Sequence, residues 1–234
     1  MSFSSRLGSR VAGAARQSLS RLKRKAVVEP FHRLYYNSGA STWSNTYWRG
    51  VPLQKCPLDL WVYQELLVEI RPAMIVECGT AFGGSAHFLA SMCELLEHGE
   101  VISIDIVPPE NPPIHERLTY LGGSSTAPEI VNAVKHQIGG REPVLVLLDS
   151  DHSRAHVLEE LRLYAPLVTP GSYLIVEDTN VNGHPVVCGF GPGPWEAVET
   201  FMATNPDFEI DRSREKHLLT FNPNGYLRRI GQEG

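Results

Sequence analysis

The chain has 234 residues, of which 42% are hydrophobic, and its formal net charge is −5. This length and composition allow a substantial buried core, and we expect one large domain with extensions. The net negative charge argues against a general nucleic-acid binder. No stretch of 18 consecutive apolar residues is present, so no transmembrane helix is predicted.

The first part of the chain has a charge opposite to that of the rest. Residues 1–28, the basic arm, carry seven basic side chains and no acid, which leaves 14 basic and 26 acidic groups for the remainder. Small apolar residues recur in the arm at roughly helical spacing. Three roles fit this pattern: docking on an acidic neighbouring subunit, contact with an anionic membrane surface, or an organelle transit peptide. We expect a homo-oligomer, with peripheral membrane contact as the alternative.

The cysteines and the N-terminus indicate the compartment. The four cysteines form no CxxC pair and have no histidine at zinc-finger spacing, which is typical of buried thiols in a reducing environment. The basic arm also lacks the continuous apolar stretch of a secretory signal. We therefore predict a cytoplasmic protein with no nucleic-acid partner.

Helical and strand patterns alternate from residue 58 onward. The predicted helices are 58–70, 84–99, 128–138, 155–168 and one that begins near Pro194. The predicted strands are 73–78, 100–106, 118–123, 143–149, 171–178 and two weaker ones at 207–211 and 217–222. Repeated β-α units with continuously apolar strands indicate an α/β fold, in which helices cover both faces of a parallel sheet. Ligands of such sheets lie beyond the carboxyl ends of the strands.

A glycine-rich turn, VECGTAFGGSAHFLA (76–90), joins the first of these strands to a helix. Its spacing is wider than the GxGxxG of dinucleotide sites, and it lacks the lysine of a phosphate loop. Glu77 would repel a diphosphate but suits a cofactor with an amino group and a cationic sulfur, such as S-adenosylmethionine. Asp105 can accept hydrogen bonds from ribose hydroxyls. Ser124 and Ser125 either cap the next helix or contact the adenine. The candidate cofactor-binding residues are Glu77, Gly79, Thr80, Gly83, Ser85, Asp105, Ser124, Ser125 and Asp149.

Two later strands end in acids, and these ends should lie side by side. VLVLLDSDH supplies Asp149 and Asp151, and YLIVEDTN supplies Glu177 and Asp178, so all four are candidate metal ligands. Crowded carboxylates repel one another unless they are protonated or bind a cation, and oxygen ligands suit Mg²⁺. The alternative is that these acids are helix caps and solvated turn residues. His152, next to the proposed metal, is the candidate catalytic base that takes a proton from a substrate hydroxyl.

The motifs together resemble a known family. The stretch WRGVPLQKCPLDLWVYQELLVEIRPAMIVECGTAFGGSAHFLA, with ISIDI, LLDSDH and GSYLIVEDT, resembles the cephalosporin hydroxylase-like family, which includes mycobacterial-type rhamnosyl O-methyltransferases. The resemblance covers roughly residues 43–222. It implies a Rossmann-like class I methyltransferase fold with a mostly parallel seven-stranded sheet and S-adenosylmethionine as the methyl donor. It also implies a divalent metal, held by an acid after the fourth strand and by the pair Glu177 and Asp178.

The resemblance also favours one of the two candidate acids after the fourth strand. The D-x-x-H arrangement of related sugar methyltransferases favours Asp149 over Asp151 as the first ligand, with His152 as the base. The alternation of helices and strands from residue 58 onward predicts a methyltransferase domain at 58–234, preceded by the basic arm (1–28) and an aromatic-rich segment (29–57). No pattern of two histidines and a carboxylate supports an iron-dependent hydroxylase.

The sequence therefore predicts a Mg²⁺-dependent O-methyltransferase that acts on a hydroxyl of a sugar or secondary metabolite. A NAD(P)-dependent oxidoreductase and a non-catalytic cofactor-binding scaffold are the alternatives. The loop at 180–195 is either a substrate lid or a surface connection. The aromatic residues of 35–52 bind a sugar or bury a subunit contact.

Overall fold

The computed structural model describes Leu22 and residues 24–231. Most of the basic arm lies outside this part of the chain, so the structure does not test its helical pattern or its three candidate roles. At the end of the arm, Arg24–Val28 form a π-helical turn that leads into the first α-helix.

Six α-helices and nine strands follow in the described part of the chain. The helices are α1 (Glu29–Asn37), α2 (Pro57–Ile70), α3 (Gly84–Leu95), α4 (Pro128–Ile138), α5 (Arg154–Tyr164) and α6 (Pro194–Met202). The strands are β1 (Tyr47–Trp48), β2 (Val51–Pro52), β3 (Met74–Cys78), β4 (Glu100–Asp105), β5 (Leu118–Gly122), β6 (Val144–Leu148), β7 (Tyr173–Val176), β8 (Phe208–Ile210) and β9 (Tyr226–Arg229). None of the described helices combines the length and the hydropathy needed to cross a membrane.

Seven strands form one sheet in the order β5-β4-β3-β6-β7-β9-β8. Strands β3 to β7 pair in parallel, and β9 runs antiparallel to both of its neighbours. The predicted mostly parallel, seven-stranded sheet is therefore confirmed. After β3, the chain adds β4 and β5 on one side of β3, and then crosses back to add β6 on the other side. A switch point of this kind opens a crevice at the carboxyl ends of the strands.

Alternate side chains of the strands face two different hydrophobic layers. From β3, Met74, Val76 and Cys78 join a buried cluster with residues of α4, α5 and α6, whereas Ile75 joins a second cluster with residues of α2 and α3. The two layers arise because successive residues of a strand point to opposite faces. Helices thus cover both faces, as predicted.

The prediction of a strand at 217–222 was wrong, and the last strand is β9. The buried carboxylate of Asp59 accepts two hydrogen bonds from this segment. Phe221 N–H donates to Oδ2 at 2.8 Å, and the Thr220 hydroxyl donates to Oδ1 at 2.5 Å. The segment therefore lies against α2. The hydroxyl of Tyr226, the first residue of β9, donates to the same carboxylate at 2.9 Å.

The aromatic-rich segment (29–57) packs against the body of the protein. The rings of Tyr36 and Trp43 lie 5.3 and 5.7 Å from the ring of Phe221. The hairpin of β1 and β2 contacts the start of α3 so closely that a Cβ at Gly84 would lie 2.1 Å from the carbonyl oxygen of Pro52. These contacts bring the N-terminal segment to the crevice end of the sheet.

Candidate active site

The glycine loop after β3 is shaped by backbone that approaches from β6. Gly79 has φ +101°, and a Cβ there would lie 1.9 Å from the carbonyl oxygen of Asp149. Gly83 has φ +81° and is the N-cap residue of α3. Positive φ and the lack of room for a side chain both require glycine at position 79. The loop therefore lies directly beside the first acid after β6.

Asp105, at the end of β4, fixes the conformation of this loop. Its Oδ2 accepts hydrogen bonds from Thr80 N–H at 2.9 Å and Ala81 N–H at 3.0 Å, and its Oδ1 accepts one from Val107 N–H at 3.0 Å. A carboxylate has about four acceptor positions, so a further bond to a ligand hydroxyl is still available.

A cleft of about 490 Å³ opens over the ends of β3, β4 and β6. Its size is typical of small-molecule sites. Among the predicted cofactor-binding residues, five line it: Gly79, Asp105, Ser124, Ser125 and Asp149. The structure does not put Glu77, Thr80, Gly83 or Ser85 in its wall.

Glu77 is fully buried under the loop, and its two oxygens differ in their contacts. Its Oε2 accepts a hydrogen bond from the Ser103 hydroxyl at 2.7 Å, whereas Oε1 makes no hydrogen bond of standard geometry among the described residues and has the Ser85 hydroxyl near the carboxylate. Burial raises the pKa of Glu77, and the charge of Lys55 opposes this shift. Unpaired buried polar atoms are rare in proteins and call for an explanation, such as a ligand.

The serines after β5 do not cap α4. Helix α4 has Ala127 at its N-cap and no side-chain cap, so this alternative was wrong. The Ser125 hydroxyl donates to Oε1 of Glu160 at 2.5 Å, and the Ser150 hydroxyl donates to the same oxygen at 2.7 Å. The buried Glu160 thus holds two residues of the cleft wall. The sequence analysis did not single it out, because it occupies an ordinary inward-facing position of a predicted helix.

Asp149, His152 and Asp178 meet where β6 and β7 end. Each can offer one ligand atom, and these atoms all lie within 4.8 Å of one another. His152 Nε2 is 3.7 Å from Asp149 Oδ1, and His152 Nδ1 is 3.4 Å from Asp178 Oδ2. Burial raises the pKa of Asp178 to about 6, while the charge of His152 acts in the opposite direction. We name these three residues the acid–histidine cluster.

Lys55 is a residue of this site that the sequence analysis missed. Its side chain is only 4% exposed, and its Nζ lies 2.5 Å from Asp149 Oδ2 and 2.7 Å from Glu177 Oε1. Burial alone would lower the pKa of Lys55, but the charges of Asp149 and Glu177 outweigh it and raise the pKa. Its only sequence signal is a lone charge within VPLQKCPL.

Asp151 has a different role from Asp149 in the structure. Its Oδ1 accepts a hydrogen bond from Ser153 N–H at 2.7 Å, just before α5. The hydroxyl of Ser153 and this N–H together lower the pKa of Asp151. Asp151 and Glu177, both predicted metal ligands, are therefore outside the acid–histidine cluster. The carboxylate of Glu177 lies beside Lys55.

A second cleft, also of about 490 Å³, lies on the other side of the cluster. Its lining residues are Tyr36, Asp151, His152, Ser153, Asp178, Val181, Phe190 and Pro192. Asp149 lines the first cleft, and His152 and Asp178 line the second. A cation held by the cluster would therefore face the occupants of both clefts.

The loop from 180 to 195 forms part of the wall of the second cleft and is held by its own hydrogen bonds. The Asn182 side-chain amide donates to Oε1 of Glu196 at 2.9 Å, and Gly193 N–H donates to Oε2 of the same residue at 2.7 Å. The ring of His184 stacks on Trp195 with a centroid distance of 4.2 Å. These contacts give the loop a defined conformation.

Comparison with known proteins gave consistent matches. The family model described as Rhamnosyl O-methyltransferase/CmcI matches residues 40–230. A rhamnosyl O-methyltransferase from Mycobacterium leprae is 40% identical over 210 residues, which are 86% of this chain and 90% of that protein. One from Mycobacterium tuberculosis (H37Rv) is 40% identical over 211 residues, which are 86% and 84% of the two chains.

Solved structures match the fold. The structure described as "cmcI-D160 Mg-SAM" gives a TM-score of 0.63 at 23% identity and covers 82% of this chain and 79% of that chain. The MycE methyltransferase from the mycinamycin biosynthetic pathway, solved with Mg and SAH, gives 0.51 at 15% identity and covers 76% and 50%. The predicted class I methyltransferase fold is confirmed.

Proposed function

The chain belongs to the Rhamnosyl O-methyltransferase/CmcI family, and on that premise we propose that it is an O-methyltransferase that uses S-adenosylmethionine and Mg²⁺. Its acceptor is a hydroxyl of a sugar or secondary metabolite. The observation that carries the proposal is the position of the acid–histidine cluster between two clefts of similar size. One cleft then takes the methyl donor and the other takes the acceptor.

The residues of the first cleft fit S-adenosylmethionine. Gly79 lines this cleft, and its lack of a side chain lets the loop pack against the backbone of Asp149. Glu77 lies buried beneath the loop and stays a sequence-based candidate partner for the amino group. Asp105 has a free acceptor position for a ribose hydroxyl. S-adenosylmethionine carries a cationic sulfonium and no phosphate, so its charge suits the negative charge of Asp149.

The residues of the cluster also fit Mg²⁺. Asp149 and Asp178 would hold the ion, because carboxylate oxygens are its preferred protein ligands. Bound Mg²⁺ lowers the pKa of a coordinated hydroxyl and fixes its position. Glu177 remains a predicted ligand from the family resemblance, although its Oε1 lies beside Lys55 in the structure.

His152 is then the general base of the reaction. S-adenosylmethionine in the donor cleft would supply the methyl group: the acceptor oxygen would bond to the methyl carbon as the carbon–sulfur bond breaks, and the electron pair of that bond would stay on sulfur. The hydroxyl proton passes to His152, and the carboxylate of Asp178, 3.4 Å from Nδ1, stabilises the resulting imidazolium. Alignment of donor and acceptor also lowers the barrier, and in well-oriented reactions it can contribute roughly 7–11 kcal/mol.

The acceptor cleft has features that suit a sugar ring. Tyr36 comes from α1 and Phe190 from the loop, and both line this cleft. Burial raises the pKa of Tyr36 to about 12, with a further contribution from the charge of Asp178. Aromatic side chains offer an apolar face together with a polar edge. The loop at 180–195 is proposed as the lid of this cleft. No observation supports the NAD(P)-dependent or scaffold alternatives.

We further propose that the chain assembles with a second copy through the exposed face of its N-terminal helix. Four apolar side chains, each more than half exposed, share this segment: Leu22, Val27, Phe31 and Leu34. The basic arm next to them complements the acidic remainder of a neighbouring copy. The cytoplasmic location stays a prediction, supported by four free cysteines.

Substitution of Asp178 tests the proposed function. We expect Asp178→Asn to lower turnover with Mg²⁺ at least about 100-fold, because the cluster loses a charged ligand. The Kd for S-adenosylmethionine, measured by calorimetry, should change by less than about threefold, because Asp178 does not line the donor cleft.

Asp207→Asn, at an exposed acid that lines neither cleft, is the matched control and should keep full turnover. Asp151→Asn tests the alternative first ligand, and we expect it to keep most of the turnover. Full methyl transfer by the Asp178 variant, or by the wild-type enzyme after thorough chelation, would contradict the proposal. A loss of activity in the Asp151 variant alone would instead assign the first ligand to Asp151.

A further inference from the structure

The turn that carries Asp178 has an uncommon backbone conformation. Asp178 has φ +52°, whereas φ is negative at Asp149 and His152, the other members of the acid–histidine cluster. A positive φ is rare for a residue with a side chain, and it persists only where the surrounding structure enforces it. The chain turns at residues 177–180, and the Asp178 carboxylate lies 3.4 Å from His152 Nδ1. Contacts from outside the turn must therefore hold Asp178 in this conformation.

Residues 220–225, which we name the clamp segment, run beside this turn. They come just before β9, which pairs antiparallel with β7, so they lie next to the residues that follow β7. Four hydrogen bonds join the two stretches: Val176 N–H to Gly225 O at 2.8 Å, Asp178 N–H to Asn222 Oδ1 at 3.1 Å, the Thr179 hydroxyl to Pro223 O at 2.7 Å, and Asn180 N–H to Phe221 O at 3.1 Å. Three of the acceptors are backbone oxygens, which any residue supplies. The acceptor for Asp178 is a side chain, so this bond alone depends on which residue occupies position 222.

The side chain of Asn222 is fixed in the orientation that this bond requires. Asn222 is fully buried, and its Nδ2 donates to the hydroxyl of Tyr63 at 2.7 Å. Its own N–H donates to the Thr220 hydroxyl at 3.0 Å. Reversal of the amide would bring its NH₂ group against the N–H of Asp178, and two donors repel each other. Asn222 therefore presents its oxygen to Asp178 in a single orientation.

The clamp segment is anchored by parts of the fold that do not belong to the metal site. The carboxylate of Asp59, in α2, accepts hydrogen bonds from Thr220 and Phe221 at the start of the segment. At its other end, a Cβ at Gly225 would lie 2.1 Å from the carbonyl oxygen of Val176, so the segment packs directly on the end of β7. The position of Asn222 is thus set by α2 and the sheet.

We infer that Asn222 is a positioning residue of the metal site: its side-chain oxygen holds Asp178 in the left-handed conformation, so that the carboxylate is in place before an ion binds. The inference rests on the proposed function, in which Asp178 is a metal ligand. Asn222 lines neither cleft and acts through Asp178. Partners that orient a metal ligand commonly change metal affinity by about 10–100-fold.

Substitution of Asn222 tests the inference. Asn222→Leu keeps the branched shape of the side chain but removes the acceptor for the Asp178 N–H. We expect the Kd for Mn²⁺, measured by electron paramagnetic resonance, to rise at least about tenfold. Turnover should fall at low Mg²⁺ and recover in part at high Mg²⁺, because the affinity for the ion is what is lost. The Kd for S-adenosylmethionine without divalent ions should change by less than about threefold, since neither Asn222 nor Asp178 lines the donor cleft.

Asn224→Ala is the matched control for a loss of stability alone. Asn224 belongs to the same segment and has φ +63°, but its side chain makes none of the four bonds to the turn. Alanine is strained at a positive φ, so the variant should melt at a lower temperature than wild type. Its Kd for Mn²⁺ should stay within about threefold of the wild-type value, because Asp178 keeps its partner.

Hydrogen exchange of the wild-type protein without divalent ions tests the same contact with no substitution. The Asp178 amide should exchange at least about 100-fold more slowly than in an unstructured chain, as followed by NMR, because its acceptor is buried and present before metal binds. Rapid exchange would contradict the inference, even if Asn222→Leu does not fold.

The outcomes separate the inference from the proposed function. If wild type binds Mn²⁺ and transfers methyl groups while Asn222→Leu binds Mn²⁺ within about threefold of wild type, the inference is wrong and the function stands. The same holds if Asn224→Ala weakens Mn²⁺ binding as much as Asn222→Leu does. If wild type binds no Mn²⁺ and transfers no methyl group, the proposed function itself fails.

Discussion

Gly79 both lines the first cleft and packs against the backbone of Asp149, so a side chain there would disturb the fold and the cleft together. We predict that Gly79→Ala destabilises the protein by at least about 3 kcal/mol and abolishes binding of S-adenosylmethionine, because the new Cβ would lie 1.9 Å from a backbone oxygen of Asp149. The free energy of unfolding in urea and the calorimetric Kd measure both effects.

Gly171→Ala is the control for the backbone conformation alone. Gly171 has φ +85°, but a Cβ there would meet nothing within 4 Å. We expect a cost of about 1–2 kcal/mol, which is the cost of a left-handed conformation without a clash. Equal losses in the two variants would rule out the close contact at Gly79 as the cause.

At the residue scale, sequence reasoning could find the site residues that follow strands. Asp149 directly follows an apolar run, and Asp178 lies one residue beyond another. Strand ends are positions where the fold itself predicts proximity. Lys55 and Glu160 could not be found in this way. The partner of Lys55 lies 94 residues away, and the contact depends on how the N-terminal segment crosses the sheet. Glu160 occupies a helix position that the pattern assigns to a packed face.

At the scale of elements, the loop at 180–195 depends on one carboxylate. Burial acts to raise the pKa of Glu196, but hydrogen bonds from Gly193 N–H, His184 and Asn182 outweigh it and lower the pKa to about 2. A lowered pKa means that the carboxylate stabilises the fold above its ordinary value of 4.5, and that this contribution is lost as the pH falls towards 2.

We therefore predict that Glu196→Gln costs roughly 1–3 kcal/mol at pH 7 and progressively less between pH 4.5 and 2. Urea unfolding across this pH range measures the difference from wild type. Glu199→Gln, on the exposed face of the same helix, should show no such pH dependence. A difference between Glu196→Gln and wild type that is constant with pH would mean that the charge has no role in holding the loop.

The parallel core was predictable from the sequence, whereas its antiparallel edge was not. Strands such as β6 are continuously apolar because helices cover both faces, so the pattern itself identifies them. Residues 217–222 include Leu218, Leu219 and Phe221, but the backbone N–H of Phe221 donates to Asp59. A buried acid within a helix can take over the hydrogen bonds of a segment that the local pattern assigns to the sheet. Only the tertiary structure reveals that exchange.

At the scale of the whole molecule, the exposed face of the N-terminal helix should decide the oligomeric state. We predict that the double substitution Phe31→Glu and Leu34→Glu converts the oligomer to a monomer, since both side chains are more than half exposed on the proposed contact face. Light scattering after size-exclusion chromatography measures the mass.

The matched control is Leu95→Glu, which changes an exposed apolar residue at the end of α3. It should leave the mass unchanged. A wild-type monomer that sediments with anionic phospholipid vesicles would contradict assembly and assign this face to a membrane surface instead.

The long reach of Lys55 also has a consequence for biosynthesis. Lys55 is synthesised well before Asp149 and Glu177, the two acids that it contacts. A nascent chain shorter than about three quarters of the protein therefore cannot form both of these contacts. Until Asp149 and then Glu177 are made, Lys55 lacks both of its carboxylate partners. A prematurely terminated product thus cannot retain metal and donor together, and only a nearly completed polypeptide becomes competent for methyl transfer.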